Sequence, residues 1–137
     1  MELRENKLIR SKTMILKEVL IVACGGALGA GARYLVSLIP FTEKFPVATL
    51  IVNIVGAFLI GFLTGMLVSH QSSTNVSLFW KTGICGGFTT FSTFSLESKK
   101  LIENNQAGLG ALYMILSLLL CVGAVFLGEF IGSKFSA

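Results

Sequence analysis

Residues 83–95 read GICGGFTTFSTFS, and they decide what fold this chain can adopt. Two adjacent glycines, Gly86 and Gly87, lead into Thr89, Thr90, Ser92, Thr93 and Ser95, with Phe91 and Phe94 set among the hydroxyls. The run sits where an otherwise oily segment should be crossing a bilayer. Each glycine lowers helix propensity by about 1 kcal/mol relative to alanine, and backbone at membrane depth must be satisfied by protein, water or an ion. The pattern predicts a helix broken at Gly86-Gly87, with carbonyls freed at the break. The alternative is an intact helix whose glycines serve close packing.

Outside this stretch the chain is 137 residues long, 53% hydrophobic and only 13% charged, which excludes an ordinary soluble domain. A spanning helix needs roughly 20 apolar residues, so the sequence predicts one all-α membrane domain over 1–137 with four transmembrane helices. The spans fall at about residues 19–39, 47–68, 78–98 and 108–131, after a basic amino-terminal extension over 1–18. That extension carries Arg4, Lys7, Arg10, Lys12 and Lys17, five of the eleven Lys and Arg residues. The apolar run behind it is too long, and too poor in a cleavage signal, for a removable leader. The net charge of +4 gathers beside the first span, where anionic headgroups would meet it, so no nucleic-acid partner is expected. Cys24, Cys85 and Cys121 form no CxxC pair, and one histidine, His70, sits in a polar connection. Neither a metal cluster of side chains nor a catalytic set can be assembled, so no enzyme is expected.

Orientation is weakly encoded. With the amino terminus inside, Arg4, Lys7, Arg10, Lys12, Lys17, Lys81 and Lys134 oppose Arg33, Lys44, Lys99 and Lys100. Without the extension up to Lys12 the bias vanishes. Helix contacts are written in four GxxxG pairs, Gly25/Gly29, Gly61/Gly65, Gly83/Gly87 and Gly128/Gly132.

Polar residues inside the spans are the candidates for function. Gly86 and Thr89 are the natural carbonyl donors for a cation at a helix break. Phe91 and Phe94, three apart, face the same way on a resumed helix, and the positive edges of their rings could favour a small anion. Asn53 is either an interhelical clamp or a pore-lining donor, with Thr49 one turn earlier. Tyr113, Ser117 and Cys121 recur every four residues on one face of the last span. Arg33 either snorkels to the surface as an anchor or draws anions into a vestibule.

These residues resemble the Fluc (CrcB) family of fluoride channels from about Leu16 onward. The resemblance rests on GGALGAGARY at 25–34, TLIVNIVGAFLIGF at 49–62 and GICGGFTTFSTFSLE at 83–97. It implies an antiparallel dual-topology dimer with two fluoride pores and a structural sodium ion. Gly86 and Thr89 carbonyls would hold the sodium. Asn53, Phe91, Phe94, Thr49, Thr93, Tyr113 and Ser117 would line the fluoride path, and Arg33 its vestibule. Cys121 stands where some members have a hydroxyl.

The expected activity is passive, selective export of fluoride through the cell membrane by a multi-pass channel, protecting against fluoride toxicity. The chain would pair with itself or with a related subunit of opposite orientation. The rival is a small dual-topology drug/proton transporter. Proton coupling would need a membrane-embedded carboxylate, whereas the chain has no Asp and Glu18, Glu97, Glu103 and Glu129 fall at or beyond the expected span ends.

Overall fold

A computed structural model describes residues 2–42, 44–69 and 74–135; His70 and the start of its connection lie outside them. Helix α1 runs over Glu2–Ser37 without interruption. The basic extension therefore continues the first span rather than standing apart from it. Leu38 and Ile39 close the last turn with N–H bonds to the carbonyls of Leu35 (3.2 Å) and Val36 (3.1 Å), directly before Pro40, which has no N–H to continue the ladder. Pro46 leads into α2, Val47–Ser69, its carbonyl accepting from Leu50 N–H at 3.2 Å.

The third crossing is built from two half-helices. The first, α3, spans 74–88 and is unusual in that Leu78–Cys85 form a π-helix, with Gly86 N–H reaching back to the carbonyls of Lys81 and Gly83. The second, α4, spans Phe91–Glu103. Between them only Thr89 (φ −75°, ψ 157°) and Thr90 (φ −149°, ψ 115°) are extended. Asn105, with φ 59°, then turns the chain: its N–H bonds Ile102 O at 3.2 Å, and Gln106 N–H bonds Leu101 O at 2.9 Å. This is a Schellman-type stop with asparagine in the left-handed position. Helix α5, Ala107–Lys134, completes the chain.

The break thus exists but lies three residues beyond the expected point. Gly86 is helical (φ −65°, ψ −37°) and Gly87 lies within the last turn of α3. The reason is packing. A methyl on Gly87 would come within 2.9 Å of Gly26 Cα, so the glycine is held against α1, and a propensity deficit of about 1 kcal/mol is too small to undo that seam. The threonines stop the helix instead. Thr89 Oγ1 donates back to Cys85 O at 3.0 Å, and Thr90 Oγ1 caps α4 by accepting Thr93 N–H at 3.2 Å. Both sequence alternatives hold in part: Gly87 packs while Gly86 stays exposed, and the helix still breaks.

All four GxxxG pairs lie in helix seams. Gly25 and Gly29 meet backbone of Phe79, Gly83, Ile84 and Gly87 on α3; Gly61 and Gly65 meet Val125, Glu129, Gly132 and Ser133 on α5; Gly128 and Gly132 meet Phe58 and Phe62 on α2. Two tight pairs result, α1 with α3 and α2 with α5, the latter the more extensive. Among the described residues three helices are long and apolar enough to cross a membrane, and the α3–α4 pair packs between them. The chain is a multi-pass membrane protein. Its buried residues, Val52, Ala57, Cys85, Leu101 and Tyr113, lie along the inner faces, while α1 and α5 present Leu20, Leu28, Leu118, Leu119 and Phe126 outward.

Replacing Gly61 or Gly128 with leucine should part α2 from α5 and lower the thermal midpoint in detergent sharply, since overpacking a tight contact costs about 1–3 kcal/mol or more. Gly123→Leu, at a position with open space around it, should leave the midpoint nearly unchanged in the same melt.

Candidate functional site

The extended pair Thr89-Thr90 would leave backbone groups unpaired in the middle of the bundle. Asn53, on α2, meets two of them. Thr90 N–H donates to Asn53 Oδ1 at 2.8 Å, and Asn53 Nδ2 donates to Thr90 O at 3.1 Å. A carboxamide is suited to this, because it offers an acceptor and donors in one plane and so imitates a neighbouring strand. Asn53 is therefore the interhelical clamp, and it also lines the adjoining cleft. An amide carries two N–H bonds, and only one of those of Asn53 is spent on Thr90.

The clamp has a second effect. In a continuous helix Thr90 N–H would bond Gly86 O; here it is turned to Asn53, and Gly86 O loses its helical donor. Thr93 N–H is taken by the Thr90 hydroxyl, so Thr89 O loses its donor as well. Gly87 O accepts from Arg33 Nε at 3.4 Å. Arg33 thus turns inward to the last turn of α3, beside the break. Among the described residues no group of three or more His, Cys, Asp or Glu side chains could hold a metal ion, so any cation here would depend on such carbonyls.

Beside the break lies a cleft of about 320 Å³ whose lining includes Asn53, Thr89, Phe91, Phe94, Ser117 and Cys121. The rings of Phe91 and Phe94 stand 5.5 Å apart and tilted by 44°. Ser117 is buried, and its Oγ is a polar atom without a hydrogen-bond partner. Most buried hydroxyls find partners, so an unmatched one beside a largely apolar cleft marks a place for something else to bind. Four of the expected path residues, Asn53, Phe91, Phe94 and Ser117, are thereby brought together, and Cys121 joins them.

The other three are placed differently. Thr49 and Thr93 line a neighbouring cleft of about 230 Å³ with Arg33 and Thr90. Tyr113, with 0% of its surface exposed, lines neither; its ring lies 5.1 Å from Phe94 and 5.4 Å from Phe45, edge-on to the latter. Its hydroxyl donates to Glu97 Oε2 at 2.8 Å, and Thr49 Oγ1 donates to Glu97 Oε1 at 2.8 Å.

Glu97 is the residue that sequence reasoning left out of the site. Counted from Leu78 it falls at the end of a span, and because α4 restarts at Phe91 it lies in the second turn of a half-helix with its carboxylate turned inward to Thr49 and Tyr113. A signal was present in the spacing Phe91, Phe94, Glu97, which puts all three on one helical face.

The family model described as CrcB-like protein, Camphor Resistance (CrcB), matches residues 20–129. The chain belongs to the CrcB family. Relatives include a protein of Ruminiclostridium cellulolyticum, 43% identical over 123 residues that cover 87% of this chain and 95% of the relative. One from Methanococcus maripaludis is 44% identical over 115 residues, covering 83% and 94%. Another from Nitrobacter winogradskyi is 47% identical over 115 residues, covering 80% and 90%. Each is named a fluoride-specific ion channel, FluC. This CrcB chain has the site on the part of its sequence that the family shares, whereas residues 1–19 fall outside the matched region.

Asn53→Ala should destabilise the protein by about 1–3 kcal/mol, the usual range when a buried donor and its acceptor are left unmatched. Thermal unfolding in lipid nanodiscs would show it.

Proposed function

We propose that this chain forms a fluoride-selective channel that lets the ion leave the cell passively, down its electrochemical gradient. The observation that carries this is the unpartnered hydroxyl of Ser117, buried in a cleft shared with the Asn53 amide and the Phe91 and Phe94 rings. Fluoride is small and strongly hydrated, so a path for it must offer O–H and N–H donors in place of water within a narrow space. The hydroxyl, the spare amide N–H and the positive ring edges supply donors without a fixed cation, which leaves binding weak enough for exit. The names of the relatives support the same ion.

Two further features complete the proposal. The carbonyls of Gly86 and Thr89, deprived of helical donors, fit a structural sodium ion, whose role would be to neutralise the break and tie two subunits together. Phe91 is 79% exposed in the single chain and Gly86 is also exposed, which suits closure of the cleft by an antiparallel second copy or a related subunit. Thr49, Thr93 and Arg33 then form the vestibule side of the path, with Tyr113 and Glu97 linking the two clefts. A drug/proton transporter would use an embedded carboxylate, and Glu97 is the acid that comes nearest the site. Here both of its oxygens are engaged by hydroxyls, and membership of the CrcB family favours the channel.

Liposomes loaded with fluoride and read with an ion-selective electrode test the proposal. The unaltered protein should discharge fluoride and retain chloride. Ser117→Ala or Phe94→Ile should slow efflux roughly tenfold or more, since a hydrogen bond to a charged partner contributes about 1.5–3 kcal/mol. No fluoride efflux from the unaltered protein, with drug-driven proton exchange in its place, would overturn it. Exchanging sodium for a bulky organic cation should lower the thermal midpoint of the assembled protein, and an unchanged midpoint would remove sodium from the proposal.

A further inference from the structure

We infer that Cys121 is a covalent modification site within the ion path, and that small sulfur electrophiles of the thiosulfonate or disulfide class close the path by attaching to it. The inference rests on the channel reading above. Cys121 lies on α5 one helical turn beyond Ser117, and residues four apart on a helix are neighbours, about 5–6 Å apart at Cβ. Both line the cleft of about 320 Å³ that Asn53, Phe91 and Phe94 also line. Ser117 is only 6% exposed, and its Oγ has no hydrogen-bond partner. A buried hydroxyl left open in this way calls for water or an ion beside it. The space that Cys121 shares is therefore a place for a mobile ligand rather than packed interior.

The three thiols of the chain sit in different surroundings. Cys85 is 2% exposed, in the π-helical part of α3. Cys24 is exposed on the outward face of α1, between Leu20 and Leu28 at four-residue spacing, where lipid chains meet it. Cys121 is partly exposed and lines the cleft. The thiolate, not the thiol, is the nucleophile, and a charged sulfur does not form readily against hydrocarbon. A wet cleft is what separates Cys121 from the other two. Among the described lining residues no other side chain is a sulfur or amine nucleophile. A thiol is also a weak hydrogen-bond donor, so Cys121 adds little to holding an anion, and its contribution is reactivity. With methyl methanethiosulfonate the step is simple thiol exchange. The Cys121 proton passes to water, and the thiolate attacks the sulfenyl sulfur. A disulfide forms as the bond to the sulfonyl group breaks, and methanesulfinate leaves with the electron pair. The methylthio group stays on Cys121, beside Ser117, in a path that must be narrow to strip water from fluoride.

Proteoliposomes treated with methyl methanethiosulfonate test this, with fluoride efflux read by electrode and the labelled cysteines mapped by peptide mass spectrometry. The unaltered protein should gain the methylthio group at Cys121 and lose efflux roughly tenfold or more, since a narrow path does not conduct around a filled site. Dithiothreitol should restore it. Cys121→Ser, compared with its own untreated efflux, should resist the reagent, whereas Cys24→Ser should remain sensitive. Saturating fluoride should slow labelling of Cys121, and the same concentration of chloride should not. Undiminished efflux after Cys121 is labelled, Cys121 left unlabelled, or labelling indifferent to fluoride would each overturn the inference. These readings come from the unaltered protein and stand even if Cys121→Ser fails to fold. Absent fluoride efflux from the untreated, unaltered protein would be a different result, sinking the channel reading itself and this inference with it.

Discussion

The paired hydrogen bonds between the Asn53 side chain and the backbone of Thr90 are the interaction on which the site depends. An interrupted helix within a membrane is unfavourable unless each freed polar group is met, and a single carboxamide meets two of them. What it leaves unmet is as informative. Gly86 O and Thr89 O lose their helical donors because the amides that would have served them are turned to Asn53 and to the Thr90 hydroxyl. One clamp therefore sets the direction of α4, opens the cleft beside Phe91 and Phe94, and frees the carbonyls next to it.

The clamp works only because the helices bearing it are fixed elsewhere. α3 is locked to α1 along Gly25, Gly26, Gly83 and Gly87, and α2 is locked to α5 along Gly61, Gly65, Gly128 and Gly132. Backbone meets backbone in both seams, so neither can slide without a clash. Lipid chains are as apolar as leucine, and contact of this kind is what holds helices together in a bilayer. The two rigid pairs are then joined across the middle by polar contacts, Asn53 to Thr90 and Thr49 and Tyr113 to Glu97, while Arg33 to Gly87 adds a polar contact within the α1–α3 pair. Apolar seams fix the frame, and polar contacts sit where the frame leaves room for an ion.

Much of this is written plainly in the sequence. Spans two and four lie within a few residues of α2 and α5, because long uncharged apolar runs have one solution in lipid. The GxxxG pairs all mark seams, since spacing alone puts both glycines on one face. The break was legible as a break but not in its position. Glycine is rare enough in a helix to draw attention, yet its deficit is small beside a packed seam, whereas the threonines that stop the helix do so through hydroxyl bonds to Cys85 and Thr93 that depend on local geometry. Glu97 was missed for a related reason: the direction its side chain faces follows from where α4 begins, and that depends on the break. Tyr113 shares a helix face with Ser117, but Phe45 and Phe94 close over it, a tertiary contact that periodicity does not contain.

If Asn53 sets the break, the backbone at residues 86–91 carries the most direct signature. Solid-state NMR of the protein in lipid bilayers, labelled at Gly86, Gly87, Thr89, Thr90 and Phe91, reads backbone conformation from carbon chemical shifts. Helical shifts at Gly86, Gly87 and Phe91 are predicted, with extended shifts confined to Thr89 and Thr90 and lost or broadened in Asn53→Leu. Helical shifts through all five residues, or an extended pair that survives unchanged without Asn53, would contradict the central claim.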